Sequence, residues 1–248
     1  MTLARSAETA CTVLFAPGNR PERFAKAAEA GADLVVIDLE DSVPPAEKGV
    51  ARRNAMEWLA AGNTAAVRIN AVGTKWHPAD VAAIAVHDSV VMVPKAESAA
   101  DLTRLAAHLS RQSGVLALVE TAAGVLRAQA IAAAPGVRRL VFGSLDLAAQ
   151  LSVDPTDSLA LAASRSALVL ASAAAGIAPP VDGVTGDLAN EKRLRQETAH
   201  ARRLGFTGKL CIHPRQVGLV DKMLRPTAEE EAWARSVADA ETDRPAYL

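Results

Sequence analysis

The sequence predicts a (β/α)8 barrel of the TIM type, and three observations predict it. Eight short apolar runs alternate with Ala-rich stretches of helical character. The chain has 248 residues, of which 50% are hydrophobic, the size and core content of one such barrel. Nearly every apolar run ends in a polar or special residue, whereas the run starts carry no comparable set. Alternation of this kind leads to a parallel sheet. A doubly wound open sheet is the alternative, but no G-x-G-x-x-G follows the first run to suggest its dinucleotide-binding form.

The strands are expected at 12–15, 34–39, 65–69, 90–93, 115–119, 140–142, 180–184 and 209–212. The seventh, within "PPVDGV", is poor in β-formers. Helices are expected at 21–30, 46–61, 78–86, 99–111, 124–134, 159–175 and 191–204. Pro21 and Pro78 suit a first helical turn, and Ser98 and Asp157 or Ser158 suit N-caps. Gly31, Gly62, Gly176 and Gly205 stand where helices should stop. A last helix at 228–240 places Trp233 and Val237 on one face at i, i+4, a face suited to a subunit interface. No linker or low-complexity tract divides the chain, so residues 1–248 read as one domain.

Composition narrows the function. Charge is balanced, 27 basic against 28 acidic residues, and aromatics are 3%, which argues against a nucleic-acid surface. No apolar stretch approaches the roughly 18 residues of a membrane span. The N-terminus lacks the apolar region and cleavage site of a signal peptide, and the two cysteines make neither a disulfide framework nor a zinc cluster. A reduced, cytoplasmic globule is the expectation.

The strand ends carry the functional argument. Strand one leads into Arg20, strand two into Asp38, Glu40 and Asp41, strand three into Arg68 and Asn70, and strand four into Lys95. Strand five ends in Glu120, strand six in Gly143, Ser144 and Asp146, strand seven in Asp182 and strand eight in His213. In a barrel these ends meet at one rim, where active sites lie. Glu120 and Asp146 follow adjacent strands, and two carboxylates plus waters suit Mg2+. Arg68 at the same rim suits a carboxylate or a developing oxyanion. Blander readings stand beside these: Lys95 pairing with Glu97 or the "DLED" acids rather than forming a Schiff base, His213 as a structural donor, and Arg20, Arg23 and Lys26 as a solvated helix face rather than a phosphate site.

Six blocks in order, "LFAPGNRPERFAKAAEAGADLVVIDLEDSVPPAEK", "VRIN", "VMVPKAES", "ALVETAAGV", "FGSLDLA" and "GKLCIHPRQV", resemble the citrate lyase beta-subunit family, which includes malyl-CoA lyases. The resemblance spans about 14–225. It implies a Mg2+-dependent (β/α)8 lyase that breaks or forms a C–C bond beside a CoA thioester, and a homo-oligomer, trimeric or hexameric. By the same resemblance Glu120 and Asp146 are the metal ligands, and Arg68 binds substrate and polarises its carbonyl. Arg20 and Lys26 face the CoA phosphates. Glu40 and Asp41 surround Arg68, Lys95 and the metal's waters as further catalytic candidates, and Gly143, Ser144 and Lys95 complete the substrate site. Asp243, in "DRP", matches the family's Asp-x-Pro motif, whose aspartate reaches a neighbouring subunit as acid/base; the Gly-rich segment that usually precedes it is missing. The implied partners are an acyl-CoA and an oxo-acid. A metal aldolase acting on free 2-keto acids, or a non-catalytic protein binding CoA or an oxo-acid, are the alternatives.

Overall fold

The computed structural model describes residues 3–110 and 112–242. Eight parallel strands close in sequence order: β1 (Thr12–Pro17), β2 (Leu34–Asp38), β3 (Ala66–Arg68), β4 (Val90–Val93), β5 (Gly114–Val119), β6 (Val137–Phe142), β7 (Ala178–Asp182) and β8 (Gly208–Cys211). β1 pairs with both β2 and β8, so the predicted barrel is the observed one. The helices before the midpoint are α1 (Leu3–Thr9), α2 (Glu22–Glu29), α3 (Lys48–Ala60), α4 (His77–Ile84) and α5 (Ala99–His108). After it come α6 (Ala122–Leu126), α7 (Ala128–Ala132), α8 (Ser144–Leu151), α9 (Ala162–Ala175), α10 (Glu191–Leu204), α11 (Pro214–Leu224) and α12 (Ala228–Thr242).

Strand alternation sorts the apolar residues into two cores. Val13, Val36, Met92, Leu118, Val141 and Leu210 fill the barrel interior. Their neighbours Leu14, Ile37, Val91, Ala117, Leu140 and Cys211 point outward against the helices. Both faces are covered, so the strands read as continuous apolar runs. The inward set at its upper end becomes polar: Leu34 and Val36 are followed by Asp38, Ala66 by Arg68, and Leu116 and Leu118 by Glu120. A period of two thus delivers these three side chains to the mouth of the barrel.

The floor of the barrel is closed by a part that sequence reading does not predict. α1 buries Ala4 and Ala7 under the interior core. Arg139, fully buried in β6, donates to Ala7 O at 3.1 Å, Ala10 O at 2.7 Å and Pro179 O at 2.6 Å, and to Thr207 Oγ1 at 2.7 Å. Burial pulls its pKa down to about 10. The guanidinium takes backbone carbonyls that would otherwise lack donors.

Other departures have local causes. The helix expected at 124–134 is two helices, broken at Arg127, whose φ of −107° leaves the helical range. β7 starts at Ala178, with Pro179 and Pro180 placed before its ladder to β8, which pairs only Val181 with Gly208 and Asp182 with Lys209. α12 leaves Trp233 70% exposed and Val237 39% exposed. Asp243 lies outside the described residues. No helix among the described residues is long and apolar enough to cross a membrane.

Candidate active site at the barrel mouth

The acids that end β2 are there for cations. Asp38 is paired in register with Arg68 on β3. Arg68 Nε donates to Asp38 Oδ1 and its Nη2 to Asp38 Oδ2, both at 2.7 Å, a bidentate pair. Burial alone would raise the Asp38 pKa, but Arg68 and Ser42 outweigh it and hold the carboxyl below its usual range. The guanidinium lies 4.8 Å from the Phe15 ring, whose face favours a cation. That leaves Nη1 as the edge not held by Asp38; it donates to Asp41 Oδ2 at 3.2 Å and lies 3.3 Å from Glu40 Oε2.

The "DLED" turn is held from behind by Lys48. Its buried ammonium donates to Leu39 O at 2.8 Å and Glu40 O at 2.6 Å. Glu40 is buried, with Oε1 accepting from Lys95 Nζ at 2.8 Å and Oε2 without a hydrogen-bond partner. Burial pushes its pKa up, and Asp41 adds to that, against Arg68 and Lys95.

Lys95 gathers three carboxylates. Besides Glu40, its ammonium is 3.6 Å from Asp146 Oδ2 and 3.8 Å from Glu120 Oε1. Burial lowers its pKa, but the acids outweigh this and keep it above the ordinary lysine value, so the ammonium is a poor nucleophile. Glu120, 4% exposed, has its pKa pushed up to about 7 by burial and then by Glu40. Such a carboxyl is short of positive charge. No group of three His, Cys, Asp or Glu side chains among the described residues forms a ready metal cage. Glu120 and Asp146 with open cavity beside them are nevertheless a set that suits Mg2+, which keeps several waters, and Glu40 Oε2, ion-paired with Arg68 but without a hydrogen bond, lies in the same cluster.

A cavity of about 680 Å³ opens here. Of the residues expected at the site, Lys26, Asp41, Arg68, Glu120, Gly143, Ser144 and Asp146 line it. Glu40 and Lys95 stand behind that wall, touching Arg68 and the acids. Arg20 is not brought in: it pairs with Glu22 at 2.7 Å on the surface, and Arg23, one helical turn on, lines the cavity instead. Asn70 binds Asp80 and Asp182 binds Arg165 and Lys209, all away from the mouth. His213 lines the cavity and caps α11, its Nδ1 accepting from Arg215 N at 3.2 Å. Phe15, Ser42 and Lys48 are functional neighbours that the sequence reading missed; only Lys48, a lone cation after "VPPAE", left a trace.

Gly143 is required by close approach. A Cβ there would sit 2.3 Å from Glu120 Cβ and 2.6 Å from Glu120 Oε2. It precedes α8, whose first turn has no side-chain cap, so its N–H groups remain available to an anion.

Fold and site together define a class: a (β/α)8 barrel with a carboxylate cluster and a clamped arginine at its C-terminal rim. A family described as HpcH/HpaI aldolase/citrate lyase matches residues 11–214, and the chain belongs to that family. It is 40% identical over 242 residues to a citrate lyase subunit beta-like protein of Mycobacterium tuberculosis, covering 94% of this chain and 86% of the relative. It is 37% identical over 234 residues to a (3S)-malyl-CoA thioesterase of Cereibacter sphaeroides, covering 92% and 81%. Among solved structures, Mycobacterium tuberculosis CitE in complex with magnesium, acetoacetate and coenzyme A superposes with a TM-score of 0.78 at 39% identity, covering 97% of this chain and 91% of that one.

Proposed function

We propose that this protein is a Mg2+-dependent carbon–carbon lyase acting on a hydroxyacyl-CoA such as citryl-CoA or malyl-CoA. The observation that carries the reading is the convergence of Glu40, Glu120 and Asp146 on the Lys95 ammonium, beside the Arg68 Nη1 that faces Glu40 and Asp41. A similar protein holding magnesium, an oxo-acid and coenzyme A supports it.

Glu120 and Asp146 hold the metal, with Glu40 behind them. Mg2+ held there would acidify the substrate hydroxyl and draw charge from the oxygen that becomes the carbonyl. Arg68, immobilised by Asp38 and Phe15, offers Nη1 to the same oxygen or to the neighbouring carboxylate. The first turn of α8, at Ser144 and Leu145, takes the other end of that carboxylate. Loss of the hydroxyl proton forms the carbonyl, breaks the C–C bond and leaves the acetyl-CoA enolate, which then gains a proton. Arg23 and Lys26 at the mouth face the phosphates of the CoA arm. Asp243, from a neighbouring subunit, is assigned the acid/base role by the motif alone, taking the hydroxyl proton and returning one to the enolate, and the exposed Trp233 face of α12 is suited to that homo-oligomer.

The test is product analysis. Citryl-CoA and malyl-CoA are incubated with protein and Mg2+, and acetyl-CoA, oxo-acid and free thiol are quantified. Acetyl-CoA and oxo-acid in equal amounts, lost in Arg68→Met, support the lyase. Free thiol with intact citrate or malate supports thioester hydrolysis, the reading favoured by the Cereibacter relative. Cleavage of free 2-keto acids alone would make the protein an aldolase.

A further inference from the structure

We propose that a second cavity, beside the barrel rather than in its mouth, binds a small phosphate-type anion. The cavity is about 470 Å³ and lies between α9, α10 and the segment containing Thr156 and Ser158. This site does not depend on the chemistry proposed for the mouth.

One face of α10 makes the main wall. Arg193, His200 and Arg203 recur at i, i+7 and i+10 and line the cavity, while Leu194, Thr198 and Ala201 are the residues the helix buries. A stripe next to a core face is usually apolar or fully solvated; here it is basic and encloses space. Arg165 of α9 faces it and is already immobile. Its Nε donates to Asp182 at 2.8 Å and its guanidinium lies 4.9 Å from the Phe142 ring.

Two groups lack partners. His200 Nε2 is buried with no hydrogen-bond partner, an uncompensated polar atom of a kind that native proteins seldom leave. Arg203 has no hydrogen bond or ion pair with any described residue. Four acids stand near: Asp182, engaged by Arg165 and Lys209; Glu197, which lines the cavity and is engaged by Arg193 and Thr185; and the exposed Asp154 and Asp187, both on the Arg193 side. At His200 itself the acting charges are Arg165 and Arg203 against Asp182 alone, two cations to one carboxylate. Burial, then Arg165 and Arg203, hold the His200 pKa below its usual value, while Asp182 opposes them weakly. Guanidinium groups, an imidazole N–H and the hydroxyls of Thr156 and Ser158 suit a tetrahedral oxyanion. Ser144 and Val184 line both cavities, so an anion here would rest against the start of α8, which carries Asp146.

The experiment uses the full chain with 15N-labelled histidine, the His200 imidazole being assigned through His200→Gln. It is titrated with inorganic phosphate and, separately, with adenosine 3′,5′-bisphosphate. Saturable movement of His200 with a rise in its pKa is expected, because a bound anion favours imidazolium. Arg203→Ser, at an exposed position, should weaken binding about tenfold; Arg104→Ser, exposed on α5 and lining neither cavity, should leave it unchanged. Binding of phosphate alone identifies free phosphate as the source, and binding of the bisphosphate identifies a phosphoester. A His200 signal unmoved by either ligand, or equal affinity in wild type and Arg203→Ser, overturns the proposal.

Discussion

The backbone N–H of Lys95 donates to Glu120 Oε1 at 2.9 Å, and it does so from a left-handed conformation with φ of 50°. The same residue gives its ammonium to Glu40 at 2.8 Å. Main chain and side chain of one lysine therefore hold two carboxylates, and the unusual backbone turn is what allows both at once.

Two substitutions separate these roles. Lys95→Gly keeps the N–H and removes the backbone strain, whereas Lys95→Met keeps the strain; both lose the ammonium. The glycine variant is expected to be more stable than the methionine variant by about 1 kcal/mol in urea unfolding. Calorimetry should show both binding Mg2+ more tightly than wild type, because a competing positive charge beside Glu120 and Asp146 is gone. Weaker binding in both would mean that the ammonium organises the site rather than competing for it.

The raised Glu120 pKa predicts a pH dependence of stability. A carboxyl shifted from 4.5 to about 7 binds its proton more tightly folded than unfolded. Its contribution is fully present below about 4.5 and is lost as pH rises through about 7. Urea titrations in EDTA should show this loss, and Glu120→Gln should remove it. A profile identical in wild type and Glu120→Gln would place the buried proton elsewhere.

Gly143→Ala should act through its neighbour. Its new Cβ would meet Glu120 Cβ at 2.3 Å, so the carboxylate must move. Mg2+ affinity should fall about tenfold or more while the barrel stays folded, because ligand displacement is local. Calorimetry beside far-UV circular dichroism reads both.

Arg68→Met leaves Asp38 buried and unpaired, at a cost of about 3 kcal/mol in unfolding free energy. Arg68→Lys keeps a charge but cannot reproduce the bidentate contact, so its stability loss should be smaller. Turnover in the product assay should fall about a hundredfold or more in both, since an oriented donor is lost. Retained turnover in Arg68→Lys would show that charge, not the guanidinium fork, is what matters.

The barrel was legible because its two periodicities are independent of tertiary detail. Asp38, Arg68 and Glu120 could be placed at the mouth because each extends an inward-facing series along its strand. What was not legible depends on contacts between distant residues or on short elements. α1 is seven residues long and buries only Ala4 and Ala7, too little pattern to announce itself. α8 starts directly after Gly143, and "GSLD" reads locally as a loop. Arg20 and Arg23 are equivalent as text; the helix starting at Glu22 sends one outward to Glu22 and the other to the cavity. Lys48 shows its role only through the carbonyls of residues 39 and 40, reached across a turn.

The buried arginine at the floor of the barrel also sets an order of assembly. Arg139 reaches acceptors 132 and 129 residues earlier in the chain, Ala7 and Ala10, and Thr207, 68 residues later. During synthesis the first helix therefore emerges long before the residues that cover it, and contacts of such sequence separation form late. Until Thr207 has left the ribosome, the nascent chain carries an open sheet edge at β1 and a guanidinium without its full set of acceptors. The helix before β1, made ahead of every strand, is among the last parts of the barrel to be sealed.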